Sequence, residues 1–288
     1  MSAASLRAEG SVRPEKPSER LKWIVTAGVA AAVLVSTATA GIRWDRLLTA
    51  PQDIAGIARL LFADVAWERT GELLLLMWES IAIAWLGTVI ASVFAIPLAF
   101  FAAENLASKV TVGIVRTILN ILRAVPEIII AIALIPVFGL TPVTGTIAIA
   151  IGSIGTLGKL NAEILETIDP GPVEAADAVG ASRIERLRWG VLPQAMPEMA
   201  AFVLYRFEIN IRVSAVLGLV GAGGIGSALA QYVQFRDFGS AGLALLIVIL
   251  GTIAVDTLSS GVRRRIIAGP DRGVEEQATS PAIAERPI

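Results

Sequence analysis

The chain is 288 residues long, with 55% hydrophobic and 17% charged residues and a mean hydropathy of +0.71. Soluble domains carry about 25% charged residues, so this composition excludes a disordered chain and makes a bilayer the natural solvent. A net charge of −1 offers no basic field for nucleic acid, and the absence of Cys and His removes disulfides, thiolate metal sites, Cys nucleophiles and imidazole catalysis.

In chain order, residues 1–22 are polar and read as a solvated tail. Trp23 to Gly41 carries no charge, and its 19 residues cover about 28 Å as a helix, enough to span with little tilt. Ala38-Thr39-Ala40 after this run also fits a signal-peptidase site, but the long Glu-containing tail before it favours an uncleaved span. Residues 23–69 are therefore expected to hold the first span and an external segment, in which Asp53 to Phe62 has the pattern of an interfacial amphipathic helix. Leu73 to Phe101 is the second span, with Glu79 its one charge.

Val110 to Phe138 is the third hydrophobic unit, broken at Pro126 between Arg123 and Glu127. Val143 to Leu160 is the fourth. Its Gly145, Gly152, Gly155 and Gly158 allow close helix approach in lipid, and its helix is expected to continue through Glu163 and Glu166 to Asp169-Pro170. Pro193 to Leu219 is the fifth span and contains Arg206, Glu208 and Arg212. A Gly-rich loop at 221–226 precedes the sixth span, Phe238 to Val255; Arg263-Arg264-Arg265 ends that unit and opens a polar tail at 263–288. The expectation is an all-α integral membrane protein of about six transmembrane helices. Segments facing one side hold 14 Lys/Arg against 5 on the other, which predicts both termini in the cytoplasm.

Charges inside a span are costly and need a role. Arg206 and Asn210 share a helix face, as do Glu208 and Arg212 on nearly the opposite one. Two readings stay open. Glu208 and Arg212 neutralise each other, or Arg206, Asn210 and Arg212 line an anion path, where a guanidinium suits a pair of oxyanion oxygens. Arg123 beside Glu127 poses the same alternative. Glu79 and Asp256 are expected to be interhelical partners. Gly221-x-Gly223-x-x-Gly226, with Gly224 inside it, matches a dinucleotide fingerprint, but the flanks are membrane spans and no acidic residue follows at the required distance. They permit either a mobile backbone at the outer mouth or a packed loop. A membrane enzyme using Glu163 and Glu166 lacks the accompanying His, Cys or metal cluster.

The segment 169–192 is too polar to span. Pro172 sits where a helix can start, Gly180 can supply a left-handed stop, and the short helix between them suits a groove on another protein. Glu174 is expected near its start, favoured by the helix dipole. This segment resembles the EAA loop of ABC-importer permeases: Glu174, Ala175, Ala176, Gly180, Leu192 and Pro193 fall in register, with Asp177 and Ala181 inside the pattern. Gly190 stands where the general pattern has an aliphatic residue. Arg123-Ala124-Val125-Pro126-Glu127 and Gly158-Lys159-Leu160 resemble the phosphonate-importer permeases, and Leu192-Pro193-Gln194 and Tyr205 to Arg212 resemble them more closely than the methionine-importer permeases.

The resemblance implies a type I ABC importer permease fold like that of the methionine permease, with its core at 70–262 and a coupling loop at 169–192. It implies a non-catalytic subunit of the bacterial cytoplasmic (inner) membrane that carries phosphonate or a related phosphorus oxyanion. The implied partners are a second permease chain, identical or paralogous, two cytosolic ATPase subunits, an extracytoplasmic binding protein and membrane lipid. No Gly-x4-Gly-Lys-Ser/Thr run occurs in the chain, so ATP and Mg2+ would belong to the ATPase, with no cofactor or metal on this chain. Methionine, phosphate or phosphite as cargo, and an ion-coupled transporter needing no ATPase, are the rival readings.

Overall fold

The computed structural model describes residues 19–41 and 44–268. The tail residues 1–18 and 269–288, where both termini were expected on the cytoplasmic side, lie outside the described residues. The chain divides into two units, Met1–Ala58 and Arg59–Ile288. In the first, α1 (Glu19–Thr39) covers the uncharged stretch and buries none of its residues. The amphipathic helix α2 (Trp44–Phe62) begins well before the expected Asp53 and runs through Pro51.

In the second unit, a single 3-10 turn (Trp67–Arg69) leads into α3 (Thr70–Ala102). Then come α4 (Lys109–Ala124), α5 (Glu127–Phe138) and α6 (Pro142–Glu166). The polar segment forms α7 (Pro170–Ala178), α8 (Arg183–Arg186) and a π turn (Leu187–Val191). The last three helices are α9 (Leu192–Gly218), α10 (Gly224–Gln234) and α11 (Phe238–Ala268).

Among the described residues, four helices are long and apolar enough to cross a membrane: α1, α3 with its leading turn, α6 and α11. The pair α4–α5 makes a fifth if taken as one broken span, bent by 83°. The bend has a local cause. Pro126 has no N–H to donate and drives Val125 into an extended conformation (φ −93°, ψ 118°). The expected fifth span is the 27-residue α9, about 40 Å long. Its charges keep it out of the apolar set, and two of them, Arg206 and Glu208, are buried.

The core sits around α6, which packs on α3, α4, α5 and α9. Its glycines account for the closeness. A Cβ on Gly155 would lie 2.7 Å from the Arg123 N and the Leu119 O of α4, and one on Gly158 would lie 2.6 Å from Leu119 Cδ2. The small-residue stripe therefore seats α4 directly on α6 backbone, as van der Waals packing in lipid requires.

Candidate functional site

The segment after α6 is built as one closed structure. Asp169 caps α7, its carboxylate accepting from Gly171 N at 2.9 Å. The helix begins at Pro170, not Pro172, so the expected position of Glu174 changes. Glu174 lies past the first turn, exposed, and Asp169 performs the capping. Gly180 ends the helix as expected, with φ +76° and no atom within 4 Å of where its Cβ would be. Ala181 N donates to Ala176 O at 3.0 Å, which closes this stop. Asp177 pairs with Arg186 at 3.5 Å.

Ser182 and Glu185 then form a capping box that starts α8. The Ser182 hydroxyl, and then its backbone N–H, hold the Glu185 carboxyl below its ordinary value. Val179, Ile184 and Trp189 stand out of this segment, all more than two-thirds exposed. Gly190, the departure from the EAA pattern, is buried against α7: a Cβ would lie 3.1 Å from Val173 Cα and 3.3 Å from Pro172 O. The missing side chain is what lets α7 rest on the π turn. Leu192 and Pro193 open α9.

Sequence reasoning named Gln194 only within the resemblance and gave it no role. Its Oε1 accepts from Asp169 N at 2.9 Å, and its Nε2 donates to Asp169 O at 3.2 Å and Gly190 O at 2.6 Å. It ties the entry and exit of the loop together. A polar residue just inside a span was the available signal.

A second cluster lies inside the helices. Arg206 Nη2 donates to Glu127 Oε1 at 2.5 Å and Arg206 Nε to Ser153 Oγ at 3.0 Å. Asn210 Nδ2 donates to Ser153 Oγ at 3.0 Å and to Thr88 Oγ1 at 2.8 Å. The shared face of Arg206 and Asn210 is thus realised, on partners from α3, α5 and α6 that their spacing did not reveal. Glu127 pairs with Arg206, not with Arg123, which is exposed and makes no ion pair among the described residues.

The expected Glu208–Arg212 pair does not form. Glu208 accepts from Arg263 Nη2 of α11 at 2.7 Å, and Arg212 lies 3.7 Å from Asp256 of α11. The reason is geometric: α11 packs along α9 and presents both partners, so each charge is met across the helix pair. Asp256 is an interhelical partner, as expected.

Gly221, Gly223 and Gly224 all have positive φ, at 87°, 82° and 69°. The loop sits on α3, where Glu79 Oε1 accepts from Gly224 N at 3.2 Å and Ser80 Oγ accepts from Ile225 N at 3.0 Å. A Cβ on Gly221 would lie 2.7 Å from Leu140 Cδ2, and one on Gly223 would lie 2.8 Å from Pro142 Cγ. This is the geometry of a packed loop, and Glu79 serves as a cap for the α10 backbone. Glu163 and Glu166 are each engaged by a cation, Lys159 at 3.7 Å and Arg116 respectively. They border a cavity of about 270 Å³ also lined by Arg116, Asn120 and Lys159. No group of three or more acidic side chains able to hold a metal occurs among the described residues.

Residues 95–268 match the family described as binding-protein-dependent transport system inner membrane component. The chain is 38% identical over 190 residues to the phosphate-import permease protein PhnE of Mycolicibacterium smegmatis, a match covering 66% of this chain and 36% of that protein. It is 40% identical over 188 residues to the phosphite transport system permease protein PtxC of Stutzerimonas stutzeri, covering 65% and 68%. In three dimensions it resembles a chain of the inward-facing MetNI methionine ABC transporter, with TM-score 0.59 and 21% identity over 66% of this chain and 93% of that one. The fold is therefore that of a type I ABC importer permease, and the chain belongs to the binding-protein-dependent transport system inner membrane component family.

Proposed function

We propose that this chain is a permease subunit of an ATP-driven importer for a phosphorus oxyanion, with phosphonate, phosphate and phosphite as the candidate cargoes. The names of the relatives support the cargo class. The observation that carries the coupling role is the closed segment 169–194. It holds α7 at its neck through Gln194 and leaves Val179, Ile184 and Trp189 exposed. Glu174, Ala175, Ala176, Asp177, Gly180 and Ala181 belong to the segment that docks on a cytosolic ATPase, and Leu192 and Pro193 pass the motion into α9. ATP and Mg2+ are held by that ATPase.

In this reading residues 70–262 are the permease core, and both tails, 1–22 and 263–288, are cytoplasmic, as the Lys/Arg bias supports. A second permease chain completes the pore and an extracytoplasmic binding protein delivers the cargo. ATPase closure pulls on α7 and rocks the helices as rigid bodies. Arg206 and Arg212 lie along the anion route, with Asn210 holding Arg206 from behind and Arg123 near the bend. Gly221, Gly223 and Gly224 form a rigid wall beside it.

The test is to purify the tagged chain with its co-expressed partners, reconstitute the complex, and measure uptake of phosphate, phosphite, methylphosphonate and methionine. ATP-dependent uptake of a phosphorus oxyanion is the expected result. Uptake of methionine alone, or uptake without an ATPase, would overturn the reading.

A further inference from the structure

Arg206 is held firmly through Nε and loosely through Nη2. Nε donates to Ser153 Oγ, and Ser153 is bound to Asn210, which is bound in turn to Thr88. These uncharged groups come from three helices and are fully buried. They orient the guanidinium without neutralising it. At Nη2 the charge is met by one carboxylate oxygen, Glu127 Oε1 at 2.5 Å. Among the described residues, Glu127 Oε2 has no hydrogen-bond partner.

Guanidinium pairs are strongest when two parallel N–H groups meet two oxygens, and Glu127 uses one. Its side chain is 25% exposed, against 10% for Arg206. The exposed side opens on a cavity of about 350 Å³ between α5 and α9, lined by Glu127 and Arg212 and otherwise by apolar groups such as Ile128, Ile209 and Val213; Arg206 itself does not line it. The carboxylate occupies its place because Gly152 has no side chain: a Cβ there would lie 2.6 Å from Glu127 Cγ. Among the described residues this ion pair is the sole side-chain hydrogen bond between α5 and α9.

We propose that Glu127 is an internal substitute for the transported anion. A tetrahedral phosphorus oxyanion entering the cavity displaces the Glu127 carboxylate, which turns into the cavity and opens the way to Arg206, whose Nη groups then hold two of the anion's oxygens. This rests on the phosphorus-oxyanion cargo proposed above. The exchange keeps Arg206 neutralised at every stage, so no bare guanidinium is left buried. It also weakens cargo binding, because the carboxylate competes for the same guanidinium, and a route needs weak binding to release what it carries. Displacement frees α5 from α9 at the moment the anion is present.

The experiment uses the complete complex. Binding of inorganic phosphate and of methylphosphonate is measured by calorimetry at constant ionic strength, with chloride as the control anion, and import is measured after reconstitution with the liganded binding protein. Glu127→Gln should bind phosphate at least tenfold more tightly than the unmodified complex and import it at least tenfold more slowly. Adding Arg206→Gln should abolish the gain in binding. An unchanged affinity in Glu127→Gln, or a gain that survives in the double variant, would overturn the proposal.

If Glu127→Gln alone does not assemble, the charge-balanced double variant decides. Import lost while the liganded binding protein still stimulates ATP hydrolysis supports the exchange. Import at the normal rate, or loss of import and stimulation together, overturns it in favour of a structural tie. An unmodified complex that imports another solute and no phosphorus oxyanion would instead defeat the cargo reading, and the exchange with it.

Discussion

Removing Arg263 should destabilise the protein far more than removing Arg212, although Arg212 lies four residues from Glu208 on the same helix. Glu208 has only 7% of its side chain exposed, and its partner is Arg263 at 2.7 Å. Truncating one member of a buried pair leaves an uncompensated charge, which costs about 3–5 kcal/mol. Arg212, with 55% of its side chain exposed and Asp256 at 3.7 Å, belongs with surface pairs worth roughly 0–1 kcal/mol. At roughly 2–4 °C per kcal/mol, Arg263→Ala should lower the melting temperature by roughly 6–20 °C and Arg212→Ala by a few degrees at most. The assay is thermal unfolding of the purified protein in one detergent, followed by tryptophan emission, with Glu208→Gln, Arg263→Ala as the compensated variant. That double change should recover much of the loss, since no charge remains unpaired. Equal melting for the two arginine variants, or no recovery in the double one, would refute the assignment of partners across α9 and α11.

Gly180→Val meets open space, so its penalty is backbone strain alone, about 1–2 kcal/mol. It should leave membrane insertion intact and reduce ATPase stimulation, read as ATP hydrolysis with and without the liganded binding protein, while Gly180→Asn should be tolerated. Gly226→Ala should sharply lower the yield of folded protein, because a methyl group there overlaps the Ala215 carbonyl oxygen, whereas Gly261→Ala meets nothing within 4 Å and should express normally. The Glu185 carboxyl titrates below its ordinary 4.5 because of Ser182. Its contribution to α8 is therefore present above that value and is lost as pH falls through the depressed pKa. Carboxyl carbon resonances should show Glu185 returning toward 4.5 in Ser182→Ala, and an unchanged titration would count against the capping box.

The elements that could be read from the chain were those with a local physical signature. Uncharged runs marked the spans, Pro126 marked the bend, and Gly180 marked a stop that only a left-handed residue makes easily. Pairings were a different matter. A sequence displays neighbours three and four positions apart, so Arg212 looked like the partner of Glu208, whereas the true partner lies 55 residues away. Glu127 and Arg206 are separated by 79 positions, and nothing in their spacing links them. The start of α7 was misplaced for a related reason: Pro170 and Pro172 are equally acceptable near a helix start, and the choice is made by Asp169, held by Gln194 from beyond the loop. The burial of Gly190 likewise depends on where α7 comes to rest.

The neck formed by Gln194 has a further consequence. Residues 169 and 194 are bonded twice, so the two ends of the intervening chain sit side by side whatever lies between them. A segment with adjoining ends can be exchanged without moving its anchors, and lengthening it costs little, since closure entropy grows only with the logarithm of loop length. The stretch between Asp169 and Gln194 is therefore an interchangeable cartridge. On the docking role proposed above, transplanting about two dozen residues should re-address the chain to a different ATPase while leaving its membrane helices untouched.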